Sequence, residues 1–317
     1  MVFQLLRVVG ILLMLTALAV PLARAPDRAP ETLVARWAPS PSTLVDVQGM
    51  PVHLRDEGPR SDPRPLLLLH GLGSSLHSWD GWASVLSERH RVLRLDLPGA
   101  GLTGPWAGAL AGNDYRAETQ ARLVLALMDQ LRLSKVVLVG HSLGGEVAWH
   151  LALLAPQRVD RLLLIDATGT AVEPREWPIG LRLAALPVTG WLGEHLLPRG
   201  VVEASLRSLY ADPRLITPAL VDRYFELLLR DGNRAALRRI LADNPRGAEQ
   251  ARLNDLQVPT LLMWGEHDQL VPPAAGAEFA QRIPGARLQV FQGLGHVPQE
   301  EAPRRSARAL EEFMGAR

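Results

Sequence analysis

The 317-residue sequence has no cysteine, which excludes thiol catalysis, disulfides and Cys-based zinc sites and makes the fold indifferent to the redox state of its compartment. Net charge is almost as scarce. The 34 Lys and Arg residues oppose 33 Asp and Glu, a net of +1, with no basic patch or arginine-aromatic pattern that would suggest nucleic acid. What basic excess there is sits at the start: residues 1–25 hold Arg7 and Arg24 and no acid, and without them the net is −1. No His-x-x-x-His, Glu-x-x-His or carboxylate cluster with metal spacing is present, so neither a metal nor another cofactor is expected. The apolar share, 47%, is that of an ordinary globular protein, and the length suits one large α/β domain with an insertion.

Hydropathy first marks the N-terminus. Arg7 precedes an apolar run over residues 8–20, followed by Pro21 and Ala23-Arg24-Ala25, the small-x-small pattern of a secretory cleavage site. Pro26 suits a scissile position poorly, because its φ is fixed and it has no N–H. Leu5, Leu6 and Leu22 extend the run toward the roughly 20 residues a spanning helix needs, so residues 1–25 read as a signal peptide or as a membrane anchor over 5–22. Either way the catalytic domain is expected to be exported, periplasmic or secreted, or held at the membrane. Residues 26–41, rich in Pro, Ala and Arg, read as a linker.

From residue 42 onward strands and helices alternate. Residues 44–47 and 52–55 flank Gly49 as an antiparallel hairpin, and short apolar runs at 66–69, 92–96, 136–139, 162–166, 260–264 and 288–291 read as further strands. Between them, residues 79–89, 117–131, 143–154, 274–282 and 304–314 carry apolar side chains at three- and four-residue spacing. This rhythm predicts an α/β fold, a mostly parallel sheet covered on both faces, with its site at the carboxyl ends of the strands. Residues 172–253 break the rhythm: no convincing strand appears, only short helical stretches punctuated by prolines.

The chemistry is concentrated in KVVLVGHSLGGEVAWHLALL, residues 135–154. A buried strand runs into Gly140-His141-Ser142-Leu143-Gly144 and then directly into a helix. Glycines flank the serine where a Cβ would clash, and Ser142 is held on a sharp turn at a helix N-terminus, where backbone N–H groups favour developing negative charge. On this strand-turn-helix, the sequence resembles the α/β-hydrolase family, in its serine-nucleophile esterase and lipase-like branch, from about residue 44 to 314.

The resemblance implies partners for the serine in the order Ser, acid, His. Asp268, in WGEHDQLVP after the seventh strand, matches the acid position, with Asp166 at the end of the sixth strand as the alternative and Glu266 third. His296, in GHVPQEE after the last strand, matches the general base. His267 stands beside the candidate acid but should point away from it, and His53, His77, His90, His150 and His195 suit structural readings. Oxyanion donors are expected from the backbone N–H groups of Leu143 and of Leu72, the latter in the His70-Gly71-Leu72-Gly73 motif, with His70 structural. DLPGAG, residues 96–101, reads as a turn shaping the rim that lacks the Gly-x-Gly-x-x-Gly spacing of a dinucleotide site, and Glu300, Glu301, Arg304 and Arg305 read as a solvated helix start.

In the family an insertion after the sixth strand caps the active site, so the expected organisation is core over 42–171, helical cap over 172–253 and core again over 254–317. Trp177, Trp191, Tyr210, Tyr224 and Phe225 mostly knit the cap, with one or two lining an apolar pocket. The implied activity is cofactor-free hydrolysis of a small hydrophobic carboxylic ester through an acyl-enzyme. Carbon–carbon bond hydrolases, perhydrolases and acyltransferases keep the same triad, and some relatives are slow-turnover receptors.

Overall fold

The computed structural model describes residues 24–185 and 196–315, together with Gln4, Arg7, Gly10 and Met14. The expected leader lies almost wholly outside the described residues, as do Trp191 and His195 of the expected cap. No helix among the described residues is long and apolar enough to cross a membrane.

Eight strands form one sheet. β1 (Thr43–Val47) and β2 (Met50–Glu57) make the antiparallel hairpin; β3 (Leu66–Leu69), β4 (Val92–Leu95), β5 (Val136–His141), β6 (Val159–Ile165), β7 (Thr260–Gly265) and β8 (Arg287–Phe291) follow. The spatial order is β1-β2-β4-β3-β5-β6-β7-β8, parallel from β4 to β8 and antiparallel at the β1–β2 and β2–β4 pairings. Period-two alternation sorts the strand residues between two apolar layers. Leu67, Leu69, Leu138, Leu162 and Leu262 pack on α3 (Ala117–Gln130), α4 (Leu143–Leu154) and α9 (Pro273–Arg282). Leu66, Leu68, Val137, Val139 and Leu163 pack on α2 (Asp80–Leu86) and α10 (Pro303–Gly315). Both faces being covered, β3 is four fully buried leucines, each contributing roughly 1.5–3 kcal/mol as an upper estimate. An aspartate at Leu68 would leave an unpaired charge in that layer.

Among the described residues no strand intervenes between β6 and β7. The chain forms α5 (Ile179–Ala185), α6 (Arg199–Arg207), α7 (Pro218–Leu228) and α8 (Asn233–Asp243). Helix α7 begins where Thr217 Oγ1 accepts the Leu220 N–H at 3.2 Å and Pro218 takes the first helical position, whose N–H would have no partner. These helices have their own small core of Val202, Leu206, Tyr210, Val221 and Tyr224.

The expected linker over 26–41 is corrected by a docked arm. Helix α1 (Glu31–Trp37) buries Leu33 against Leu102 and Leu227. Trp37 Nε1 donates to Glu226 Oε2 at 2.8 Å, Arg36 pairs with Glu226 at 2.7 Å, and Arg28 exchanges backbone hydrogen bonds with Leu229 and Asp231. The partners lie nearly two hundred residues away, so local composition gave no sign of them.

Candidate active site

Ser142 stands between β5 and α4 with φ 53° and ψ −122°. A non-glycine residue holds that backbone only where its surroundings enforce it. Here the turn is wedged against the end of β3: a Cβ on Gly144 would come within 2.4 Å of the Leu69 and His70 carbonyl oxygens. On the other side, a Cβ on Gly71 would lie 3.0 Å from Ser142 Cβ, which shows how closely the loop after β3 approaches the serine. Leu72 and Leu143 both line the same cavity as Ser142. Among the described residues neither of their backbone N–H groups donates to a protein acceptor.

The tips of β7 and β8 bring two more groups there. His296 Nδ1 donates to Asp268 Oδ2 at 2.7 Å, with the histidine 3% exposed and the aspartate 0%. Asp268 Oδ1 accepts the Leu270 and Val271 N–H groups at 2.8 and 2.9 Å, which fixes the carboxylate. His296 and Ser142 are both on the cavity wall, whereas Asp268 is behind it.

Asp166 lies in the same buried group: it, Asp268 and His296 each place a ligand-type atom within 4.8 Å of the others. Its Oδ1 accepts the Gly265 N–H at 2.9 Å. Burial, reinforced by the neighbouring Asp268, pushes its carboxyl well above the usual range, which favours its protonated form. His267 is exposed and lies 3.7 Å from Glu266, away from this cluster.

His70 Nδ1 donates to the Gly71 carbonyl at 2.8 Å, and the Leu97 N–H donates to Nε2 at 2.9 Å; both ring nitrogens are therefore used within the protein. Sequence reading passed over His141. Its Nε2 donates to the His296 carbonyl at 2.7 Å and burial holds its pKa well below the ordinary value, so a neutral ring fixes the backbone of the facing histidine. Its place inside the serine turn was the only signal.

Two readings need correction. Glu300 and Glu301 are not a solvated helix start: Glu300 pairs with Arg223 and accepts from Tyr224 Oη at 2.7 Å, while Glu301 accepts the Ala211 and Gly295 N–H groups at 2.8 and 2.7 Å. They tie α7 and its neighbours to the His296 loop. Arg304 and Arg305 are exposed, as expected. Gly99, Gly101 and Gly104 do have Gly-x-Gly-x-x-Gly spacing, but they take φ of 83°, 51° and 70° in a loop, and the next α-helix begins only at Ala117. No helix N-terminus stands there to receive a pyrophosphate.

The cavity above the serine encloses about 600 Å³. Its walls are mostly apolar, with Trp177, Leu181, Val202, Leu206 and Leu241 from the helical insertion facing Leu143 and Val271 of the core. Of the aromatics singled out in the sequence, Trp177 and Tyr224 line it. A second cluster with metal-ligand atoms, Glu118, His150 and Glu249, has the Arg252 guanidinium bound to both carboxylates.

The family model for the alpha/beta hydrolase fold matches residues 64–187 and 223–303. The acetyltransferase component of an acetoin-cleaving system from Pseudomonas putida is 33% identical over 241 residues, 75% of this chain but 60% of that protein. A 2-hydroxy-6-oxononadienedioate/2-hydroxy-6-oxononatrienedioate hydrolase from Cupriavidus pinatubonensis is 27% identical over 274 residues, 83% of this chain and 90% of that one. A solved bacterial membrane phospholipase A superposes with a TM-score of 0.71 at 22% identity, covering 99% of this chain and 98% of that one, a likeness of fold.

Proposed function

Because this chain belongs to the alpha/beta hydrolase fold family, we propose that it is a serine hydrolase that cleaves carboxylic esters through an acyl-enzyme. The observation that carries this reading is the buried 2.7 Å bond from His296 to Asp268 beside a cavity whose wall includes both His296 and Ser142. In the proposed mechanism the His296 Nε2 takes the proton of the Ser142 hydroxyl as Oγ attacks the ester carbonyl. Asp268 stabilises the imidazolium. The backbone N–H groups of Leu72 and Leu143 hold the oxyanion, an arrangement that typically supplies several kcal/mol. Collapse expels the alcohol with the proton from His296; water, activated by the same histidine, then releases the acid and restores the serine. The largely apolar cavity supports a substrate with a sizeable acyl or alkyl part.

Turnover of p-nitrophenyl esters, abolished in Ser142→Ala together with labelling by a fluorophosphonate, is the expected result. Preference for acetate over every longer acyl chain would refute the hydrophobic-substrate part. A second reading, carbon–carbon bond hydrolysis, is favoured by the Cupriavidus relative, whose alignment spans 90% of its length. Turnover of a 2-hydroxy-6-oxodienoate at a higher kcat/KM than any ester would select it. Export and membrane attachment through the N-terminal segment are proposed from the sequence; a mature N-terminus near Pro26 would mean cleavage, and an intact Met1 in the membrane fraction an anchor.

A further inference from the structure

The cavity wall departs from apolar character along one stripe. Helix α8 presents Arg234, Leu237, Arg238 and Leu241 to it, the three- and four-residue spacing of a single helix face, and Arg246 follows beyond the helix end. Among the described residues the wall carries one carboxyl, Glu146, which burial pushes up to about 7 and which accepts a hydrogen bond from Thr168 at 2.7 Å. Among the described lining residues, guanidinium groups therefore outnumber carboxyls.

The arginines are not equivalent. Arg246 is paired with Glu173 and lies over the Trp177 ring at 5.4 Å. Arg234 is 5% exposed; one of its nitrogens, Nη2, pairs with Asp27 of the N-terminal arm, and Nε and Nη1 have no partner among the described residues. Burying a cation with two of its three nitrogens unsatisfied is costly unless an acceptor completes it. One turn along the helix, Leu237 lies beside Gly73 of the loop that approaches Ser142, and Arg234 lines the same cavity as the serine.

Resting on the ester-hydrolase reading, we propose that Arg234 binds an anionic oxygen group carried by the substrate. The preferred substrates are then esters of anionic amphiphiles, with the apolar chain along the leucine-rich wall and a carboxylate or phosphate at Arg234. The anion accepts from the unpaired guanidinium nitrogens while Asp27 holds Nη2 from behind.

The test uses p-nitrophenyl monoesters of adipic, suberic and sebacic acid, their terminal methyl esters, and chains of matched length ending in phosphate. A charge-assisted hydrogen bond predicts that the wild type favours at least one anionic ester over its neutral counterpart by about tenfold or more in kcat/KM. Arg234→Gln lowers that ratio by about tenfold, mainly through KM, and Arg234→Lys keeps most of it. Carboxylate and phosphate series show which anion the site takes. A wild-type ratio at or below one, a ratio unchanged in Arg234→Gln, or equal losses on anionic and neutral esters would overturn the proposal, the last by making Arg234 a strut for Asp27. Should Arg234→Gln fail to fold, inhibition of the wild type decides: decanoate must inhibit at about a tenfold lower concentration than decanol, and equal inhibition overturns it. Absence of ester turnover in the wild type is the failure of the hydrolase reading instead. Calorimetric binding of decanoate to Ser142→Ala, with and without Arg234→Gln, tests the anion site without any turnover: loss of binding in the double variant supports it, and equal binding overturns it.

Discussion

Ser42, His53 and Asp96 form a hydrogen-bonded row at one side of the sheet, and Ser142, His296 and Asp268 bring the same three side-chain types together at its carboxyl edge. In the first row His53 Nδ1 donates to Asp96 Oδ2 at 2.7 Å and His53 Nε2 lies 2.9 Å from Ser42 Oγ. The second has the same 2.7 Å from histidine to aspartate. What differs is the setting of the serine. Ser42 Oγ also accepts from Arg55 Nε at 2.8 Å, so a cation draws on the lone pair an attacking oxygen would use. Neither Ser42, His53 nor Asp96 lines the cavity, and the Asp96 carboxylate is consumed by the Leu76 and Leu102 N–H groups at 2.7 and 2.8 Å. Ser142 has the opposite surroundings, a helix N-terminus, two uncommitted amides and an open apolar volume. A relay of the right residue types is thus not a site until there is room for a substrate and a place for its developing charge.

The widest separation between the rows is expected at the serines. Ser142→Ala should lower kcat/KM for a good ester by about 10⁴-fold or more, leaving only what binding and the oxyanion donors supply. If it retained a tenth of wild-type turnover, the row at Ser42 would have to be reconsidered as the working one. Next come the acids. Asp268→Asn should cost about 10³–10⁴-fold in kcat, because the imidazolium loses its counter-charge and the ring its orientation, whereas Asp166→Asn, where burial already favours the protonated form, should stay within about tenfold. Steady-state kinetics on purified protein reads both, and the reverse order would transfer the acid role to Asp166.

Asp96→Asn should act on stability rather than catalysis. Removing one partner of a fully buried pair costs about 3 kcal/mol, with turnover per folded molecule retained. Burial alone would raise the Asp96 carboxyl, but His53 beside it overrides this and holds it well below the usual carboxylate range. A depressed folded pKa contributes stability that is present above the unfolded value and lost as pH falls through the folded one. The gap in Tm between wild type and Asp96→Asn should therefore be widest near neutrality and close only below about pH 4. A gap independent of pH would mean that the aspartate is not held as an anion by the histidine.

The same contrast marks how far the sequence could be read. Every core strand was legible, because a parallel sheet buried on both faces writes short Val and Leu runs such as 66–69 and 136–139, and the alternation with amphipathic helices dictates their order. Ser142, Asp268 and His296 could be proposed because each follows a legible strand, so that their tips meet at one edge of the sheet, and each sits in a stretch that resembles the family's pattern. What pattern reading missed lies in contacts between remote segments. Asp27 with Arg234, Trp37 with Glu226 and Arg223 with Glu300 join polar side chains that locally look solvated. His53 reads as structural from its place in a hairpin, yet the relay it forms is invisible in the sequence, since Asp96 reads only as part of a turn.

The smallest effect sharpens the comparison most directly. Ser42→Ala removes an oxygen shared by His53 and Arg55 without opening any path for substrate. Hydrogen bonds to partly buried groups are worth about 0.5–1.5 kcal/mol net, so denaturant unfolding should show a loss of about 1 kcal/mol. Ester turnover, corrected for the folded fraction, should remain within about twofold, because no atom of this row touches the cavity. A larger fall in kcat with unchanged stability would connect the two rows: β2 pairs with β4, whose tip at Asp96 meets the oxyanion loop through the Leu76 N–H and, one residue on, through Leu97 to His70. In that event the buried relay would be a support for the loop carrying Leu72, and its serine would matter through position rather than chemistry.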